Sequence, residues 1–405
     1  MVAGCNTISL GTGRKEFNPK KARPGLEEYI KEAGQGVLKA IGGAQNVDEA
    51  VVGNFIAARF NNQGNLPAFM PFIDEGLRYK PAVRVEGACG SGALALVTGI
   101  RSVLAETAEV VLVMGIEVQN TVKAIYGADI LAAAGWAKER KDGHAYFFPG
   151  KFSDRAKAYA ARFGEEKTRS AMAKWYQNAI ENARLCPTAQ EYHNTTKDLM
   201  ASGLSKPNPK GFVDSLNVYD CSKVSDGASA IAIVSEEGLK RCGIAKHDAV
   251  EVLAFGQAVD DITKDPEDLT RLLTTKVAVD VALKDAGITK EQIATVETHD
   301  CFTIAGIMAT EAIGFAEHGK GMDFVLEGNT MRNGKVPFNT TGGLIGWGHP
   351  TGATGVHQAI TIWEQLTGKA ADNQIDIKPE RPYGLTINMG GDDKSLVAIV
   401  YKKAE

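Results

Sequence analysis

The sequence predicts an α/β protein of two similar halves separated by an insertion. Three observations carry that expectation. Apolar runs of strand length alternate with helical patterns toward both ends of the chain, two stretches repeat one another without a gap, and the strand rhythm is lost over residues 121–217. In the repeat, shifted by 245 positions, Leu38-Lys39 falls on Leu283-Lys284, Gly42 on Gly287, Val51 on Val296 and Asn54 on His299. Each copy reads as a helix stopped by glycine and followed by a short buried strand. A second echo, shifted by 260, sets Ala88-Cys89-Gly90-Ser91-Gly92-Ala93 on Gly348-His349-Pro350-Thr351-Gly352-Ala353.

Taken in order, Ala82–Glu86 reads as a strand, Cys89 opens a small-residue helix to about Ala105, and Val110–Met114 is an apolar run of buried-strand type. Residues 121–217 hold amphipathic helices, among them Ser153–Phe163 with Ser153 as N-cap and Gly164 as stop, together with Trp136, Trp175 and Tyr146-Phe147-Phe148. An inserted subdomain over the active-site face fits this stretch. Strand signals resume at Ala228–Val234 and Val250–Phe255, both expected to complete the first half. The second half repeats the order: Val336–Phe338 leads into a glycine-rich turn, Pro350 suits a first helical turn, and Leu385–Met389 is the last buried strand. The expected boundaries are 1–120 with 218–258 for the first half, 121–217 for the insertion and 259–405 for the second half.

At 405 residues the chain exceeds one ordinary core, and a prior of roughly 150 residues per domain divides it into two or three units. A composition 44% hydrophobic and 23% charged, with net charge -4, describes a soluble enzyme-sized protein and favours no nucleic-acid partner. Six cysteines, at 5, 89, 186, 221, 242 and 301, show no CxxC or zinc-ribbon spacing, so neither a disulfide framework nor a structural metal is indicated. With no signal-peptide pattern, no membrane-length apolar run and no C-terminal Ser-Lys-Leu, the expected location is the cytoplasm.

Three short motifs carry chemistry. Cys89 lies among small residues at an expected helix start, where backbone N–H groups and the helix dipole would stabilise a thiolate and a neighbouring oxyanion. The same string equally suits a small buried residue packed under a helix. His349 sits in a glycine-rich turn, where a neutral imidazole can take a thiol proton or cap the turn. His299 and Cys301 flank Asp300 at a strand end, and alternation would turn both to one side, as catalytic groups or as core. The duplication favours catalysis, because it sets the Cys89 and His349 helix starts at pseudo-symmetric positions facing one site. Cys5, Cys186, Cys221 and Cys242 lack such surroundings and read as packing residues.

These residues together resemble the thiolase superfamily, specifically its sterol-carrier-protein-type members, marked by His-Asp-Cys-Phe where other thiolases carry Asn-Glu-Ala-Phe. The resemblance runs along nearly the whole chain, through Ala88–Gly92, Ser225–Ala228, His299–Phe302, Asn339–Gly343 and Gly348–Gly355. It implies a thiolase fold of two duplicated βαβαβαββ halves in a five-layered αβαβα core. It also implies a loop domain carrying much of the coenzyme A contact, and a homodimer or dimer of dimers. By motif, Cys89 is the nucleophile and His349 its base. His299 and His349 form one oxyanion hole, the N–H of Cys89 and a glycine of Gly390-Gly391 the other, and Cys301 is the general acid/base.

One departure fits the subtype. Asn388-Met389-Gly390 stands where ordinary thiolases carry Cys-x-Gly, so Cys301 remains the candidate second thiol. Asp392-Asp393-Lys394 replaces the usual small residues beside the second oxyanion hole. The chain also ends at 405 without the sterol-carrier domain that some relatives append. The resemblance implies acyl-CoA and CoA as partners, CoA as co-substrate, and no permanently bound cofactor or metal.

The expected reaction is cleavage of a 3-oxoacyl-CoA by CoA, or the reverse condensation, through a Cys89 thioester. Chains of this type act on long, branched, sterol-side-chain or aromatic acyl-CoAs, and some need a small zinc-ribbon/OB-fold subunit. Trp347 and the loop aromatics allow a bulky or aromatic acyl group, and equally suit a core. Other readings are a decarboxylating condensing enzyme, against which Cys301 argues, and a non-catalytic acyl-CoA scaffold, against which Cys89 argues. A nucleotide site has no GxxxxGK[ST] or GxGxxG behind it. Lys138, Arg140, Lys141, Lys151 and Arg155 are basic residues near an expected CoA path, and a solvated face explains most of them.

Overall fold

The computed structural model describes residues 1–142 and 146–405, with side chains of all of these but Lys141 and Asp142. Nine strands form two sheets among the described residues. The first holds β1 (Val2–Asn6), β2 (Glu49–Gly53), β3 (Ala82–Val85), β4 (Val110–Glu117) and β5 (Gly227–Val234) in the order β1-β5-β4-β2-β3. The second holds β6 (Val250–Val259), β7 (Ile293–Glu297), β8 (Tyr383–Gly390) and β9 (Ser395–Lys403) in the order β6-β9-β8-β7. Val51 pairs in parallel with Val83 and Val113, and its repeat partner Val296 pairs in parallel with Leu385 and bridges Phe338. The gapless repeat is therefore a structural equivalence of β2 and β7.

Strand alternation sorts each sheet's side chains into two layers. Val110, Leu112, Met114 and Ile116 pack with α1 (Leu26–Ala40), whereas Val111 and Val113 face a middle layer made of α2 (Ser91–Leu104) and α7 (Thr354–Thr367). From the other side Val397, Ile399 and Tyr401 meet that same middle layer, and Leu396, Ala398 and Val400 face α5 (Leu273–Ala286) and α6 (Thr303–Ile313). The result is the five-layered αβαβα arrangement. The inserted helices α3 (Phe147–Phe163) and α4 (Glu165–Ala183) join the outer core of the second sheet through Phe152, Tyr159, Trp175 and Ile180.

Four expectations are corrected. Val250–Phe255 lies in β6, which pairs antiparallel with β9 and so belongs to the second half; an apolar run signals a strand but not its sheet. Val336–Phe338 makes a single bridge to β7, because Pro337 has no N–H to extend a ladder and offers only its carbonyl, 3.1 Å from Val296 N. Ser153 is internal to α3 and accepts from Ser215 N at 2.9 Å, since Pro149 is tolerated in the helix's first turn. Pro350 lies upstream of α7, which starts at Thr354.

The two middle helices touch backbone to backbone at their starts. A Cβ on Gly355 would sit 2.3 Å from Ala93 N, and one on Gly92 would sit 2.8 Å from both Gly352 O and Gly355 N. Gly355→Ala is expected to cost about 1–3 kcal/mol through overpacking, read as a lower midpoint in thermal unfolding. An unchanged midpoint would show that this crossing is not tight.

Candidate active site

The crossing of α2 and α7 holds two loops against each other. Ala88 adopts φ 54°, a left-handed turn before Cys89, and Ser91 ties it down: its Oγ donates to Ala88 O at 2.6 Å and accepts from Gly87 N at 3.0 Å. The β8–β9 turn packs on this loop so closely that a Cβ on Gly390 would lie 2.2 Å from Gly87 O. The N–H groups of Cys89 and Gly391 consequently reach the Cys89 sulfur. Of the two glycines expected there, Gly391 presents its N–H to the sulfur, and Gly390 provides the close approach.

Cys89 Sγ and a ring nitrogen from each of His299 and His349 lie within 4.8 Å of one another. The imidazoles meet edge to face at 5.0 Å between centroids. Their outer nitrogens are held by different chemistry. Asn388 is buried on β8; its Oδ1 accepts from Ala93 N at 3.3 Å, which leaves its amide Nδ2 to donate to His299 Nδ1 at 3.1 Å. His299 therefore carries its proton on Nε2 and is a hydrogen-bond donor toward the site. At His349 the polarity reverses. Thr354 Oγ1 gives its only proton to Pro350 O at 3.1 Å, so it accepts from His349 Nδ1 at 2.7 Å. His349 Nε2 is left as a lone pair with no hydrogen-bond partner among the described residues.

One donor and one base thus face one thiol. A metal ion would need a lone pair at His299 Nε2, which the Asn388 donation denies.

Desolvation sets the resting protonation. It pushes the Cys89 thiol up to about 12, with the negative charge of Glu117 adding to the effect, and it takes His349 down to about 3 and His299 well below the ordinary imidazole value, where His349 adds a smaller push. The helix start does not leave a thiolate, as the sequence alone suggests, because burial outweighs the N–H groups of Cys89 and Gly391. Both groups therefore favour their neutral forms, a thiol beside an imidazole whose Nε2 lone pair can take its proton.

Strand β7 ends at Glu297, so the loop that follows, and not strand alternation, delivers His299 and Cys301. Cys301 is buried before α6, and desolvation raises its thiol well above the usual range, with the neighbouring Cys89, Asp300 and Asp392 pushing the same way. Its carbonyl accepts from Ser222 N at 2.8 Å. Asp300 anchors the loop: buried completely, it accepts from Trp175 Nε1 at 3.0 Å and Leu344 N at 2.7 Å. Desolvation raises it to about 7.

Residues 14–237 match the family description "Thiolase, N-terminal domain" and residues 256–403 match "Thiolase C-terminal domain-like". The chain belongs to the thiolase family. It is 33% identical over 381 residues to an acetyl-CoA acetyltransferase of Methanothermobacter thermautotrophicus, covering 93% of this chain and 94% of that one. It is 28% identical over 415 residues to sterol carrier protein 2 of Oryctolagus cuniculus, covering 96% and 71% respectively. Among solved structures, the Ltp2-ChsH2(DUF35) aldolase superposes with a TM-score of 0.73 at 18% identity, over 99% of this chain and 98% of that one. This thiolase is a CoA-dependent acyltransferase.

Several residues in the thiolase differ in role from the sequence expectation. Trp347 is fully buried, stacks on His357 at 3.5 Å and donates to Thr188 Oγ1 at 3.1 Å, so it fills core and lines no acyl pocket. Arg155 is buried against Asp392 and faces no phosphate. Lys151 pairs with Glu139 and Asp265, Arg140 pairs with Asp129, Lys138 lies over the Trp136 ring, and the side chain of Lys141 lies outside the described residues. Sequence reasoning missed Asn388 as the partner of His299 and Thr354 as the partner of His349. The first registered only as a missing thiol; the second was present as a hydroxyl in the turn of Gly348–Gly355.

Proposed function

We propose that this thiolase cleaves a 3-oxoacyl-CoA with CoA, giving acetyl-CoA or another acyl-CoA and a shortened acyl-CoA, and catalyses the reverse condensation. The observation that carries the reading is the thiol flanked by two imidazoles of opposite tautomer. His349 Nε2 takes the Cys89 proton as sulfur attacks the 3-oxo carbon, and the N–H groups of Cys89 and Gly391 receive the oxygen charge. The C2–C3 bond then breaks, leaving the acyl group on Cys89 and an enolate thioester. His299 Nε2–H and the newly formed His349 Nε2–H hold the enolate oxygen, and Cys301 protonates its carbon. CoA thiol then attacks the Cys89 thioester and releases the shortened acyl-CoA. Cys301 regains its proton from the incoming thiol, and the departing Cys89 sulfur takes back the proton held on His349 Nε2, so protons balance over the cycle.

The burial of Trp347 removes one reason for expecting an aromatic acyl group. A homodimer or dimer of dimers is part of the proposal, supported by the free outer side of edge strand β3, where Val83 is exposed. So is a cytoplasmic location. A small zinc-ribbon/OB-fold partner subunit stays part of the proposal, and the paired name of the Ltp2-ChsH2(DUF35) aldolase supports assaying with and without a second subunit. The test is CoA-dependent thiolysis of 3-oxoacyl-CoAs graded in size and aromaticity. Turnover of at least one supports the reading; CoA binding with no turnover, with or without partner, would replace it with an acyl-CoA scaffold.

Asn388→Asp tests the tautomer argument. The aspartate would accept from His299 Nδ1–H, leaving Nε2 a lone pair facing the enolate oxygen, and kcat is expected to fall about 10²- to 10³-fold. Alkylation of Cys89 by iodoacetamide should hold its rate. A variant with normal kcat would show that His299 does not act as donor.

A further inference from the structure

The turn between β8 and β9 carries Asp392 and Asp393 directly after the glycines that meet Cys89. Neither side chain is solvated: Asp392 is 7% exposed and Asp393 5%. Asp392 accepts a charge-assisted hydrogen bond from Nε of Arg155, which is itself 1% exposed on α3 and sends Nη1 to the carbonyls of Leu269 at 3.2 Å and Arg271 at 2.9 Å. Asp393 accepts from Thr274 N at 2.9 Å, Thr275 N at 3.0 Å and Thr275 Oγ1 at 2.6 Å, satisfying the open N–H groups at the start of α5. Within this turn the backbone is left-handed at Gly391, φ 70°, and at Asp393, φ 58°, a conformation uncommon outside glycine that the three hydrogen bonds to the Asp393 carboxylate help to hold. The turn is clamped from two sides.

A buried ion pair contributes little net stability compared with a well-packed apolar pair, so stability is a weak reason for Arg155 and Asp392. Position is a stronger one. Asp392 is covalently next to Gly391, whose N–H faces the Cys89 sulfur, and a shift of about 1 Å in such a donor costs on the order of 10²-fold in rate. Helix α3 also touches the other catalytic loop: Phe152, one turn before Arg155, stacks on Phe302 at 4.6 Å, beside Cys301.

We propose that Arg155 and Asp392 are positioning residues that hold the Gly391 N–H on the thioester oxygen, so that the inserted helix α3 sets the geometry of the oxygen-binding site. This rests on the acyl-transfer reading given above. Asp392→Ala is expected to lower kcat about 10²-fold with KM for the acyl-CoA changed less than about threefold. R155M/D392L replaces the pair with packed apolar groups and leaves no charge alone; it should keep a near-native melting temperature and show the same loss of kcat. Alkylation of Cys89 by iodoacetamide needs the thiol and His349 but forms no oxyanion, so it should fall by less than about fivefold in both variants, through loss of the Gly391 N–H from the sulfur alone. Normal kcat in R155M/D392L, or alkylation falling in step with turnover, would overturn the inference. Absence of an acyl adduct on Cys89 in the unmodified enzyme would instead sink the acyl-transfer reading itself.

Discussion

His349→Asn is expected to lower kcat about 10³- to 10⁴-fold, the span that loss of a positioned general base produces at a poorly acidic nucleophile. The size follows from the resting state. With the Cys89 thiol pushed up to about 12 and His349 down to about 3, neither group ionises between pH 5 and 9, and the thiolate arises only as the proton moves to His349 Nε2. Asparagine offers that position an amide without a basic lone pair. Iodoacetamide alkylation of Cys89 at pH 7 should slow in the same variant. In the unmodified enzyme that rate should stay level from pH 5 to 9, because neither group changes its protonation there. A rise with a midpoint near 5–6 would mean a preformed thiolate–imidazolium pair and would contradict the neutral resting state.

Cys301→Ala is expected to separate the two chemical halves. Uptake of an acyl group by Cys89 from a simple acyl-CoA uses Cys89, His349 and the backbone donors, and should proceed within about tenfold of normal. Cleavage of a 3-oxoacyl-CoA also needs a proton delivered to the enolate carbon, and should fall by at least about 10³-fold. Cys301 is suited to that duty because burial holds it well above the usual thiol range, so it carries a proton at neutral pH. The paired measurements are stopped-flow acylation by an acyl-CoA and steady-state thiolysis of the 3-oxo substrate. Equal losses in both would assign Cys301 to packing.

Much of the fold was legible because the chain is duplicated: a gapless match of Val51 to Val296 becomes two strands in equivalent places. The register of a repeat survives in sequence, but sheet membership does not. Val250–Phe255 was clearly a strand, yet only its antiparallel pairing with β9 assigns it to the second half. Helix α3 starts at Phe147, six residues ahead of the Ser153 expected to cap it, because Pro149 is tolerated in a first helical turn. In the site, Cys89, His299, Cys301 and His349 stood out because thiols and imidazoles in glycine-rich strings are chemically distinctive. Their supports did not stand out. Arg155 meets Asp392 across 237 residues and Asn388 on β8 meets His299 across 89, so each looked like a solvated cation or a lost thiol until the fold brought its partner near. Trp347 misled in the opposite direction, because a large aromatic beside a motif is placed in core or pocket by burial alone.

The most direct test of the account is peptide-mapped mass spectrometry of the enzyme quenched during reaction with a 3-oxoacyl-CoA. The expected result is one acyl group on the peptide containing Cys89, present in the unmodified enzyme, discharged on adding CoA and absent from Cys89→Ala. An adduct that persists in Cys89→Ala, or that maps to Cys301, would contradict it.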